Sequence, residues 1–94
     1  MTHEEWVARY MRLYQIALRI ESSRRQRAKI LCREAGLDDG LLGIHPHNAM
    51  CGMMSGDPWP NVDYTKVREC LGLLDRMYDG HRIVAKWDRR VRGY

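Results

Sequence analysis

The sequence predicts an all-α protein, a compact bundle of four to five helices with an irregular Gly/Pro-rich middle segment. Three observations lead there. Apolar residues recur at three- and four-residue spacing over 6–20 and again over 64–78. No stretch shows the strict apolar–polar alternation of a half-buried strand. Gly40, Gly43, Pro46, Gly52, Gly56, Pro58 and Pro60 all fall between the two periodic regions. A chain of 94 residues suits one helical domain, 1–94, with one core. Chains this short bury a modest share of their surface. Three Trp, five Tyr and six Met supply large apolar surface, so a homodimer, or docking on a partner, is expected.

The first helix is the clearest. Thr2 and Glu5 form a capping box, and Glu4 and Glu5 suit the positive end of the helix dipole. Trp6, Tyr10, Leu13, Ala17 and Ile20 line one face, with Val7, Met11, Tyr14 and Leu18 beside them. At about 100° per residue these positions fill roughly half the circumference, enough to meet two elements or one element and a partner chain. The apolar face changes after Glu21. Ser23 and Gln26 offer a second capping box there, which predicts a break at 22–23. A second helix comes next, with Ala28, Leu31, Cys32 and Ala35 buried. Gly36 closes it in the left-handed position found after many helices.

Farther along, Pro46 is placed as the first residue of a short helix through Met54. Asp57-Pro58-Trp59-Pro60 makes a rigid turn, because each Pro keeps its predecessor out of helix. Trp59 is expected to close over the core. Asn61 or Asp63 caps the next helix, whose face is Tyr64, Val67, Cys70, Leu71, Leu74, Met77 and Tyr78. Asp79-Gly80 ends it. From His81 helical spacing resumes, with Ile83, Val84, Trp87 and Val91 opposite Arg82, Lys86, Arg89 and Arg90.

Charge is segregated more than it is large. The net charge is +4, yet no Lys or Arg occurs between Arg33 and Lys66. The cations gather in two blocks. Arg24, Arg25, Arg27, Lys29 and Arg33 make the first, and Arg82, Lys86, Arg89 and Arg90 belong to the second. Such blocks raise positive potential that steers toward phosphate or an acidic protein surface. Cys32, Cys51 and Cys70 are odd in number and scattered. That argues against a secreted disulfide framework and predicts three small buried thiols in a reducing, cytoplasmic setting. No apolar run reaches the roughly 18 residues of a membrane span, so no membrane partner is expected.

Leu31-Cys32-Arg33-Glu34-Ala35-Gly36-Leu37 resembles the first half of a helix-turn-helix motif: apolar, small, two polar, small, Gly, apolar. Met54 to Pro60 resembles the loop after the recognition helix in phage-repressor-like domains. The second half departs from the pattern. Gly40, Gly43 and Pro46 interrupt the expected recognition helix, and a helix at 46–54 carries only His47 and Asn48 to read a base edge.

His45, His47 and Cys51 are the residues a zinc ion would prefer, but their spacing is neither a Cys-x-x-Cys pair nor a helical His-x-x-x-His. No metal and no cofactor are expected. Nucleophile elbow, phosphate-binding Gly loop and zinc-protease pair are all absent from the sequence, so no enzyme is expected. The function expected is that of a small non-catalytic regulatory protein whose basic helices bind nucleic acid or a nucleoprotein, by way of a divergent helix-turn-helix. The alternative is an inhibitor or adaptor of phage or mobile-element type, docked on a target protein that is acidic or itself binds nucleic acid.

Overall fold

Nothing before Gly36 interrupts a helix, and one helix forms. The computed structural model describes residues 2–92, with side chains through Arg89. Helix α1 runs His3–Glu34 without a break, so the helix end expected at 22–23 is absent. Ser22 and Ser23 are exposed, and the residues after them (Arg, Gln, Ala, Lys, Leu) are good helix formers. Two serines cost too little to end a helix in that company. The expected helix count therefore falls by one. At the start of α1, the backbone N–H of Glu5 donates to Thr2 Oγ1 at 3.2 Å, as the cap requires. At the end, Gly36 adopts φ 93°. Its N–H donates to Arg33 O at 3.0 Å, and that of Leu37 donates to Cys32 O at 3.0 Å. This paired closure takes up carbonyls the helix itself leaves unsatisfied.

After α1 come a single 3-10 turn, Asp39–Leu41, and helices α2 (Ile44–Met54), α3 (Tyr64–Arg76) and α4 (Asp79–Arg92). The described residues include no strand. Two boundaries differ from expectation. Pro46 is the third residue of α2, not its first, and is buried. The first four N–H groups of a helix have no internal partner, so Pro is tolerated throughout that turn. Asp79-Gly80 opens α4 instead of stopping α3. Helix α3 stops at Arg76, whose carbonyl accepts a hydrogen bond from the Arg24 guanidinium. Its start agrees with the sequence: Asp63 Oδ1 accepts from Thr65 N at 3.1 Å and from Lys66 N at 3.4 Å.

The chain forms two compact units, divided at Ser23/Arg24 and at Arg76/Met77. The change of apolar face after Glu21 marks this division and not a helix end. In the first unit, the early part of α1 packs on α4. Ala17, Met77 and Val84 are buried there, Gly80 lies against Ala17, and the rings of Trp6 and Trp87 meet at 4.8 Å. Met11, Ile16, Leu18 and Ile83 stay exposed, because two helices cannot enclose so wide an apolar arc.

In the second unit, the later part of α1 packs on α3, and Ala35 just beyond it meets α2 and α3. One buried cluster joins Ala28, Leu31 and Cys32 to Cys70, with Leu42, Leu73 and Leu74 against it. The other joins Ala35 and Ala49 to Val67, with Met50, Val62, Tyr64 and Leu71 around it. Trp59 does not close over these clusters. It is 38% exposed and lies against α2, where a glycine leaves room for it. A Cβ at Gly52 would stand 3.3 Å from its indole.

Candidate binding surfaces

Helical geometry decides which cations share a face, and it divides the first basic block. Arg25, Lys29 and Arg33 stand at four-residue spacing, whereas Arg24 and Arg27 lie on a different side of α1. The block is dense in sequence without forming one cationic face. Its members are also partly engaged. Arg33 donates through Nε and Nη2 to Asp39 Oδ2 at 2.8 and 2.6 Å, and Arg24 serves the end of α3. Arg24, Arg25 and Lys29 are half-buried. Arg27 is exposed and lines a cleft with other cations.

Those cations come from α3. Arg27, Arg68 and Arg76 line an open cleft of about 440 Å³ between α1 and α3, together with Glu69, Leu31, Leu73 and Gly72. Arg27 and Leu31 stand one turn apart on α1, and Arg68, Gly72 and Arg76 stand on successive turns of α3. The floor is aliphatic and the rim cationic. Arg68 Nη2 reaches Met53 Sδ at 3.8 Å, and Arg76 Nε donates to Gly72 O at 3.1 Å. No carboxylate pairs with any of the three guanidiniums among the described residues, although Arg33, Lys66 and Arg82 each have one. Arg68 and Arg76 are not among the residues expected from the sequence. Their Arg-x-x-x-Gly-x-x-x-Arg spacing, flanking the apolar face of α3, is the signal that points to them.

The second basic block does form a face. Arg82, Lys86 and Arg89 stand at i, i+4 and i+7 of α4, within an arc of about 60° at helical pitch. All three are exposed. Asp79 Oδ1 lies 3.4 Å from Arg82 Nη1, at the edge of the row. The buried Val84 is on the opposite side. The side chain of Arg90 lies outside the described residues.

The remaining candidates are kept apart. Cys32 and Cys70 are buried free thiols, but Cys51 is exposed, contrary to the expectation of three buried ones. It sits on the outer side of α2, away from the face that carries Pro46 and Ala49. Burial and the neighbouring Cys32 push the Cys70 thiol up to about 11. Its Sγ donates to Ala28 O at 3.4 Å. Burial, with Asp39 and Asp38 adding to it, also raises Cys32. Among the described residues no group of three or more His, Cys, Asp or Glu could hold a metal ion. No helix of the described residues is long and apolar enough to cross a membrane. Helix α2 holds His45, His47 and Asn48 but no Arg or Lys, and the chain from α1 to α2 spans residues 35–43. Compared with protein-family models, with curated proteins and with solved structures, the chain matches none.

Proposed function

We propose that this chain is a small non-catalytic regulatory protein whose basic helical surface engages nucleic acid or a nucleoprotein. The observation that supports this most is the α4 row of Arg82, Lys86 and Arg89, three exposed cations on one helix face. Ammonium and guanidinium groups at successive turns contact backbone phosphates and carry no sequence preference of their own. The contact is electrostatic, so it weakens steeply with salt as counterions are no longer released at a gain. Helix α2 follows α1 only after residues 35–43, a connection longer than a helix-turn-helix turn, and with no Arg or Lys it adds little to this attraction.

A mobility-shift titration of generic duplex DNA at two salt concentrations tests the reading. Binding is expected at low salt and loss of it at high salt. Changing Arg82, Lys86 and Arg89 together to Glu should remove about three phosphate contacts, lowering the salt slope by roughly 2–3. Absence of any shift at low salt would overturn the proposal. A second reading, docking on a target protein, is supported by a different surface: the α1–α3 cleft, with its guanidiniums over an aliphatic floor.

A further inference from the structure

We infer that the cleft between α1 and α3 receives an acidic amphipathic segment of a partner protein, with an aliphatic side chain on the floor at Gly72 and Leu73 and carboxylates on Arg27, Arg68 and Arg76. This rests on the protein-docking reading and is independent of the α4 row.

Charge complementarity favours an acidic occupant. The cleft presents three guanidiniums and one carboxylate, Glu69. None of the three guanidiniums has a carboxylate partner among the described residues. Guanidinium forks bind carboxylates in bidentate fashion, and Arg is among the residues most often found as an interface anchor. Arg68 and Arg76 are eight residues apart, about 12 Å along a helix. An amphipathic helix laid in the cleft would bring carboxylates to both, in the groove-binding mode of such helices.

Gly72 points to an occupant as well. A glycine inside a helix costs up to about 1 kcal/mol relative to alanine, so it needs a local reason. Sterics give none: the nearest heavy atom to a Cβ at this position would be Arg76 Nη2 at 3.8 Å. Nor is its backbone in the left-handed region. What the glycine does is leave the cleft floor without a side chain at this turn, beside the folded-back Arg76 guanidinium. An occupant that reaches the half-buried Leu73 needs that space.

The lining of the cleft favours protein over nucleic acid. A single strand held in a cleft stacks its bases on aromatic rings. No aromatic residue lines this one, and Glu69 would oppose a continuous phosphate chain. An apolar side chain flanked by spaced carboxylates fits both the floor and the rim.

Fluorescence anisotropy with labelled peptides on the full chain tests the inference. The probe is a 15-residue helical peptide with Leu on one face and Glu on the other. Its comparators are the same composition scrambled, the same peptide with Lys for Glu, and a labelled single-stranded DNA. The Leu/Glu peptide is expected to bind at least about tenfold more tightly than the scrambled one, a margin of about 1.4 kcal/mol. Gly72→Leu, which fills the floor, and Arg68→Glu, at an exposed position, should each remove that margin. Circular dichroism checks that both variants remain helical.

Equal binding of the scrambled peptide overturns the inference. Tighter binding of the Lys peptide, lost in Gly72→Leu, overturns the acidic chemistry while leaving protein docking in place. Failure of all three peptides overturns both. Single-stranded DNA displaced by the same two substitutions would instead assign the cleft to nucleic acid, and overturns the inference too.

Discussion

Ala17 Cα lies 2.9 Å, and its Cβ 3.0 Å, from the point a Cβ on Gly80 would occupy. Helix α4 thus meets α1 backbone to backbone, through a glycine in its own first turn. The sequence pair Asp79-Gly80 reads as a helix stop, but the glycine serves the contact with Ala17.

Gly80→Ala should therefore destabilise the chain. Overpacking costs roughly 1–3 kcal/mol, and the gain in helix propensity returns up to about 1 kcal/mol. A net loss of about 1–2 kcal/mol is expected in chemical denaturation, because the atoms met are backbone and Cβ and cannot swing away. Gly72→Ala, with only the end of Arg76 within 4 Å, should show the opposite sign, a gain of up to about 1 kcal/mol. Two helical glycines then separate by environment alone.

Ser23 distinguishes one helix from two. Inside the continuous α1, Ser23→Ala gains about 0.5 kcal/mol, the difference in helix propensity. Were Ser23 the cap of a second helix, the same change would cost about 1 kcal/mol. The sign of the change in urea midpoint decides between them. Ser23→Pro is expected to cost about 3 kcal/mol in the continuous helix.

The thiols should react in a fixed order. Cys51 is exposed, whereas Cys32 and Cys70 are fully buried, so a maleimide should label Cys51 first in the native protein. Labelling of the other two should require unfolding. The raised value of Cys70 also sets a pH dependence. In the folded chain this thiol keeps its proton up to about 11, against 9.0 unperturbed. Between those two values the unfolded chain has released a proton that the native chain still binds. Stability should therefore be unaffected by Cys70 below pH 9 and should fall as pH rises from there toward 11. Cys70→Ala should flatten that fall, in denaturation curves measured at about pH 8, 9 and 10.

Legibility differs from element to element for physical reasons. The caps at Thr2 and Asp63 and the closure at Gly36 are local: one side chain or one positive φ satisfies backbone groups a few residues away. They are readable in order along the chain. Ser22-Ser23 misleads because a cap signature and a tolerated helix interior use the same residue types. The helix propensity of their neighbours and the packing around them decide between the two. The change in apolar face is a true signal of a division, and the division lies between packed units.

By itself the sequence determined the all-α class, most helix boundaries to within a turn, and the row of cations on α4. Each comes from periodicity within one element. Only the tertiary structure decided which cations converge. Arg27 reaches the same cleft as Arg68 and Arg76 because α1 and α3 share the Ala28–Leu31–Cys32–Cys70 cluster. Helical geometry meanwhile sends Arg25, Lys29 and Arg33 to another side of α1. Sequence density fixes how much charge a segment carries. Where that charge adds up depends on helix rotation and on the neighbour it is packed against.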